Sequence, residues 1–140
     1  MEKLLEIKNL KVQYNTDEAV VDALNDFSLD LGKGEILGVV GETGAGKTTM
    51  ALSIMKLLPE HVAEVTGGSV TYNGEDVFKM SQKQLRNLRG AEVSMIFQDP
   101  MTSLNPVMTV GDQIDEVLKI HNPSMPKQER DEKVAEILTL

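Results

Sequence analysis

The stretch Ile36-Leu37-Gly38-Val39-Val40, running on into Gly41-Glu42-Thr43-Gly44-Ala45-Gly46-Lys47-Thr48-Thr49, governs how the rest of the chain is read. Ile36 to Val40 is a continuous apolar run, the pattern of a strand covered on both faces. Gly41 to Thr48 matches G-x-x-x-x-G-K-[ST], and from Lys47 to Leu58 the apolar residues Met50, Ile54, Leu57 and Leu58 keep helical spacing until Pro59. Strand, glycine loop and helix in that order are the context a phosphate-binding P-loop requires. Glycines at 41, 44 and 46 let the backbone take positive φ values. Successive N–H groups, those of Glu42, Thr43 and Ala45 included, can then converge on phosphate oxygens. The helix start at Lys47 adds partial positive charge. Lys47 can reach the β- and γ-phosphates as a point charge, and the Thr48 hydroxyl can ligate Mg²⁺. Thr49 either offers its hydroxyl or amide to the α-phosphate or is a plain first-turn threonine.

A local arrangement of donors is needed because the chain as a whole is acidic. It has 140 residues and a formal charge of −8, with 41% hydrophobic and 26% charged residues. That is the composition of one globular domain, and its sign disfavours nonspecific binding to nucleic acid or anionic lipid. The apolar runs fall far short of the roughly 20 residues that span a bilayer. The opening MEKLLEIKNLKVQY has no sustained apolar stretch or cleavage site, so a cytoplasmic location is expected. With no cysteine, disulfides and cysteine metal sites are excluded.

Outward from the P-loop, Leu5-Ile7, Leu10-Val12-Tyr14 and Phe27-Leu29-Leu31 alternate with polar residues and predict half-buried antiparallel sheet. Val70 and Tyr72 lead to Asn73-Gly74, a hairpin signal, and predict a small strand pair from Ser69 to about Met80. Ser81 and Gln84 form a capping box that opens a short basic helix to Arg89, closed by Gly90. Val93 to Phe97 predicts a buried strand ending at Gln98. Thr109 and Asp112 open a further helix with Val110, Ile114, Val117 and Leu118 on its apolar face. The last helix starts near Ser124-Met125-Pro126, with Val134, Ile137 and Leu138 as its face. No repeat, low-complexity segment or linker interrupts the chain.

Tyr14 ends its strand before the polar Asn15-Thr16-Asp17-Glu18, so its ring could stack on a base, although periodicity alone favours a core tyrosine. Gln98, by the same standard, is an ordinary strand-end residue. With a P-loop at 41, a tyrosine at 14 and a strand ending in Gln98-Asp99-Pro100, the chain resembles the nucleotide-binding subunit of an ABC transporter. "IFQDPMTSLNPVMTVGDQI", Ile96 to Ile114, is similar to the corresponding segment of the oligopeptide and dipeptide importer ATPases, a group that includes nickel importers. The similarity runs from about Leu4 to Leu140 and is most specific at the P-loop and at Ile96 to Ile114.

The resemblance implies an α/β P-loop NTPase fold with an N-terminal antiparallel β subdomain. Residues 1–98 would form the β subdomain and P-loop core, and residues 99–140 the Q-loop and the start of a helical subdomain, truncated there. Tyr14 would be the A-loop aromatic on adenine, Gly41 to Thr48 the Walker A motif, and Gln98 the Q-loop glutamine that ligates Mg²⁺ and positions the attacking water. The ligands implied are ATP and Mg²⁺. The partners implied are a second ATP-binding subunit, the same or related, transmembrane permease subunits reached through the 99–108 loop, and a solute-binding protein indirectly. The location implied is peripheral, on the inner face of the cell membrane. Met101, Leu104, Val107 and Met108 on that loop serve either local packing or a subunit contact.

Hydrolysis in this family also needs a Leu-Ser-Gly-Gly-Gln signature, an apolar strand ending in Asp-Glu, and a switch histidine, and none is present in residues 1–140. Gly67-Gly68 reads as a turn, Asp131-Glu132 as a solvated helix face, and His61 and His121 as surface residues. The absent motifs, the missing parallel neighbours for Ile36 to Val40 and the unfinished last helix lead us to expect the N-terminal part of a longer subunit. Two other readings remain open: a soluble ABC-type nucleotide switch without a membrane partner, and a P-loop kinase. The kinase would need a basic lid, for which Lys83, Arg86 and Arg89 are poor material.

Overall fold

A computed structural model describes residues 3–140, without the side chains of Pro100 and Thr102. The chain divides into two compact units, one ending at Arg89 and the other starting at Gly90.

In the first unit, β1 (Lys3–Asn15), β2 (Val20–Gly32), β3 (Ala63–Tyr72) and β4 (Glu75–Asp76) form an antiparallel sheet of order β2-β1-β3-β4. The alternation predicted for β1 is interrupted where Asn9 takes φ 47, and a matching irregularity occurs at Asp26 with φ 61. The extra residue in β1 lets Ile7 and Leu10, three apart, both be fully buried. Asn9 is held by its neighbour strand, its N–H donating to Ser28 Oγ at 2.9 Å and its amide to Asp26 Oδ1 at 2.9 Å. Gly67 and Gly68 are not a free turn as expected but lie within β3. Gly68 has φ +84 and a Cβ there would strike the Asn9 carbonyl, so glycine is required where β3 crosses the bulge.

Asn73-Gly74 makes the hairpin turn with φ 48 and 82, as the dipeptide predicts. The strand after it is shorter than expected. Asp76 accepts a bond from Phe78 N–H at 3.0 Å and turns Val77–Lys79 into a 3₁₀ turn. The capping box is formed, with Ser81 N–H donating to Gln84 Oε1 at 2.9 Å, and it starts α2 (Gln82–Asn87). Leu88–Glu92 continue as a π-helical turn rather than as helix to Arg89. Leu5, Ile7, Leu10, Val12, Leu24, Met50, Met55, Val70, Val77, Leu85 and Leu88 supply the buried apolar set.

The two parallel core strands expected at 36–40 and 93–97 are not formed. Ile36 and Val40 are 98% and 93% exposed and Ile96 is 93% exposed, and only Val93 carries an isolated bridge. An apolar run becomes a core strand only when strands flank it and helices cover it, and among the described residues the single sheet is the antiparallel one.

The second unit contains a 3₁₀ turn at Pro100–Ser103, α3 (Val110–His121) and α4 (Lys127–Thr139). Thr109 caps α3, its Oγ1 accepting from Asp112 N–H at 3.1 Å, as predicted. α3 and α4 pack on each other, with Arg130 Nε donating to Asp115 Oδ1 at 2.6 Å and Lys119 Nζ 2.6 Å from Asp115 Oδ2. These two cations hold the Asp115 carboxyl below the usual aspartate range, Lys119 contributing most. Of the face predicted for α4, Val134 is half-buried while Ile137 and Leu138 are exposed. No helix among the described residues is long and apolar enough to cross a membrane.

Candidate functional site

α1 (Lys47–Ile54) begins at Gly46, and its position is set by the sheet beneath it. Gly46 is buried at φ +79, and a Cβ there would lie 2.8 Å from Leu24 Cδ2 and still closer to the carbonyl oxygen of Ala23. The loop therefore rests on the β2 backbone at a point where only glycine fits. Gly44 also has positive φ, +85. Gly41 does not, contrary to expectation. Its constraint is space, since a Cβ there would come 3.2 Å from Ala45 Cβ.

Lys47 folds back over the loop, its Nζ donating to the carbonyls of Gly41 and Glu42, each at 2.6 Å. Ala45 N–H donates to Glu42 O at 3.1 Å and closes the turn through Thr43 and Gly44. The first helical bond runs from Met50 N–H to Gly46 O at 2.8 Å. The N–H groups of Lys47, Thr48 and Thr49 thus fall in the turn that has no intrahelical acceptor. No side chain caps this end and no acidic residue lies in the first turn. An ammonium group, glycine-permitted curvature and uncapped N–H donors together fit a polyphosphate. Thr48 is exposed beside them, and its hydroxyl suits a hard cation held against phosphate oxygens. Thr49 is buried and its carbonyl accepts the Ser53 hydroxyl at 2.7 Å, while its own N–H lies in the turn without an intrahelical acceptor.

Tyr14 lies at the end of β1, paired with Val21 and Ala63. It sits two residues beyond the fully buried Val12, so it continues the core face, and at the sheet's tip it is half-buried. A cavity of about 530 Å³ lined by Leu58, Val65, Phe78 and Lys79 among others includes no P-loop residue.

Gln98 belongs to the second unit, exposed at a bend before Asp99, whose carboxylate accepts from Met101 N–H at 3.1 Å. The loop beyond it is shaped by a residue that periodicity did not single out. Gln113 of α3 accepts from Asn105 N–H at 2.9 Å and donates through Nε2 to Asn105 O at 3.1 Å and Met108 O at 3.3 Å. Asn105 Oδ1 in turn accepts from Val107 N–H at 3.1 Å. Asn105 and Gln113 are therefore the structural reason for the spacing within SLNPVMTVGDQ. Val107, hydrogen-bonded to Asn105, is 88% exposed, and Met101, on the preceding 3₁₀ turn, is 73% exposed. His61 is exposed as expected, but His121 is half-buried and its imidazole packs against Gly90, where a Cβ would meet Nε2 at 2.9 Å.

Comparison with known proteins agrees with these features. The chain is 47% identical to the dipeptide transport ATP-binding protein DppD of Bacillus subtilis (strain 168), over 94% of this chain and 39% of that one. It is 44% identical to the oligopeptide transport ATP-binding protein OppD of Escherichia coli (strain K12), over 96% of this chain and 39% of that one. The chain therefore spans about two fifths of the length of these curated relatives. Its backbone superposes with a TM-score of 0.81 on an ATP-binding cassette solved as a dimer in a post-hydrolysis state with ADP and Pi, at 24% identity and covering 96% of this chain and 56% of that one. That likeness establishes the P-loop α/β fold, including its antiparallel β subdomain. The ABC transporter family profile matches residues 24–140. With the glycine loop seated on β2, the Lys47 fold-back and the relatives' sequences in agreement, the chain belongs to the ABC transporter family.

Proposed function

We propose that residues 1–140 bind Mg-ATP as the nucleotide-binding part of an importer ATPase for peptides or a similar small solute. The observation that carries this reading is the Lys47 ammonium over the carbonyls of Gly41 and Glu42, beside a helix start with no cap of its own. The peptide class rests on the relatives' transport names and on the Ile96 to Ile114 segment.

In this reading Lys47 leaves the two carbonyls and moves its charge onto the β- and γ-phosphates. The loop from Gly41 to Thr49 holds phosphate oxygens, Thr48 and Gln98 hold Mg²⁺, and Tyr14 stacks on adenine. In the whole subunit, water would bond to the γ-phosphorus while its bond to the bridging oxygen breaks, and that oxygen would leave with ADP. The chain's own residues contribute position and charge, and Gln98 offers an acceptor to the metal and a donor to the attacking water without adding charge. Because residues 1–140 contain no signature motif, Walker B pair or switch histidine, they bind nucleotide without turning it over. In the whole subunit, ATP would close a pair of ATP-binding subunits and hydrolysis would reopen it. The 99–108 loop would meet permease subunits at the inner face of the membrane, with a solute-binding protein acting through them. Of the three basic residues the kinase alternative could use as a lid, Arg89 is engaged with the end of α1.

Calorimetric titration with Mg-ATP tests the proposal. Saturable binding that Lys47→Ala weakens at least about tenfold is expected, from the loss of a charge-assisted contact. Binding that survives Lys47→Ala unchanged, or Lys47-dependent turnover by residues 1–140, overturns the respective part.

A further inference from the structure

The far end of α1 is secured by groups from outside the helix. Leu57 N–H donates to Leu52 O at 2.8 Å and Lys56 N–H to Ser53 O at 3.1 Å, the paired bonds of a Schellman ending. Lys56 occupies its left-handed position at φ 50, where glycine is usual. The lysine has its own use there, since Nζ donates to Phe78 O at 3.0 Å. The carbonyls of Met55 and Lys56, which the turn leaves over, accept from Arg89: Nε bonds Met55 O at 2.9 Å and Nη2 bonds Lys56 O. α1 has no basic residue in its own last turn, so the cations at its negative end are Lys56 in the cap and Arg89, remote in sequence. Its positive end has neither acid nor side-chain cap. An anion is the complement that this helix lacks.

The geometry points to Arg89 as a positioning residue for the phosphate loop: bonded to Met55 and Lys56, its guanidinium fixes the axis and dipole of α1 and so sets the affinity of the Lys47 end for a polyphosphate. This inference rests on the nucleotide-binding reading above. The planar fork is needed because the two carbonyls belong to successive residues, and a lysine would supply charge without two fixed donors.

The test measures dissociation constants for Mg-ATP and inorganic pyrophosphate, and urea midpoints, for the wild type and the variants Arg89→Met, Arg89→Lys and Ser81→Ala. Arg89→Met is expected to weaken both ligands by about tenfold and Arg89→Lys by about threefold, the range of a partly buried charge at a helix end. Ser81→Ala removes the α2 cap and lowers stability without touching α1, and it is expected to leave both affinities unchanged. Should Arg89→Met not fold, Arg89→Lys carries the decision. Unchanged affinities in a folded Arg89 variant overturn the inference alone, as does a loss in Ser81→Ala equal to that in Arg89→Lys, which would make the effect one of general stability. A wild type that binds neither ligand overturns the nucleotide reading together with this inference.

Discussion

Replacing Gly46 with alanine should destabilise the first unit far more than the same change at Gly44, although both glycines have left-handed backbones, φ +79 and +85. The left-handed conformation alone costs a residue with a Cβ about 1–2 kcal/mol. At Gly44 that is the whole effect, since a Cβ there meets no heavy atom within 4 Å. At Gly46 the methyl would press on the Ala23 carbonyl and lie 2.8 Å from Leu24 Cδ2, and Leu24 is itself buried. Forcing a carbon into such packing costs about a further 1–3 kcal/mol. Gly46→Ala should therefore lose about 2–5 kcal/mol in total, against a typical domain stability of about 5–15 kcal/mol. With a urea slope of about 1–3 kcal/mol per molar, the two midpoints should differ by roughly 1 M. Far-UV circular dichroism across a urea series reads this directly. Equal midpoints for Gly44→Ala and Gly46→Ala would refute the seating of the phosphate loop on β2.

Two further outcomes follow from the second unit. Gln113→Leu should raise amide hydrogen exchange at Asn105 by about fivefold or more, the loss of one hydrogen bond of about 1 kcal/mol, while α4 amides stay unchanged; equal exchange in both proteins would contradict the clasp. The Asp115 carboxyl is held below its ordinary value by Lys119 and Arg130, so its contribution is present above the unfolded aspartate value, near pH 4, and lost as pH falls through the lower folded value. The stability of the α3–α4 pair should accordingly decline below about pH 4, and Arg130→Met should reduce that dependence; an acid profile the same in both proteins would count against the pairing.

Features with local signals were legible in the sequence. The Asn73-Gly74 turn, the Ser81/Gln84 box and the Thr109 cap each depend on residues within four positions, and each is formed. The P-loop was legible because its residue types are dictated by one ligand chemistry. Ile36 to Val40 and Val93 to Phe97 were misjudged because apolarity marks a segment able to enter a parallel sheet, while strand formation depends on neighbours that the described residues do not supply. α1 stops at Ile54 rather than Leu58 because Lys56 accepts a left-handed conformation, a choice rewarded by the remote Phe78 carbonyl. Arg89 and Gln113 escaped for the same reason: their partners are backbone carbonyls and amides, which leave no side-chain pattern to read. The i, i+3 spacing of Lys83, Arg86 and Arg89 suggested a basic face, whereas one of the three turns inward to α1.

The central claim is that the loop from Gly41 to Thr49 is a polyphosphate site closed at rest by its own lysine. Amide and Lys47 side-chain NMR resonances followed during a Mg-ATP titration address it most directly. Large shifts at residues 41–49, Tyr14 and Gln98, with the Lys47 ammonium leaving the Gly41 and Glu42 carbonyls, are the predicted result. Saturating shifts centred elsewhere, with Lys47 unmoved, would contradict it.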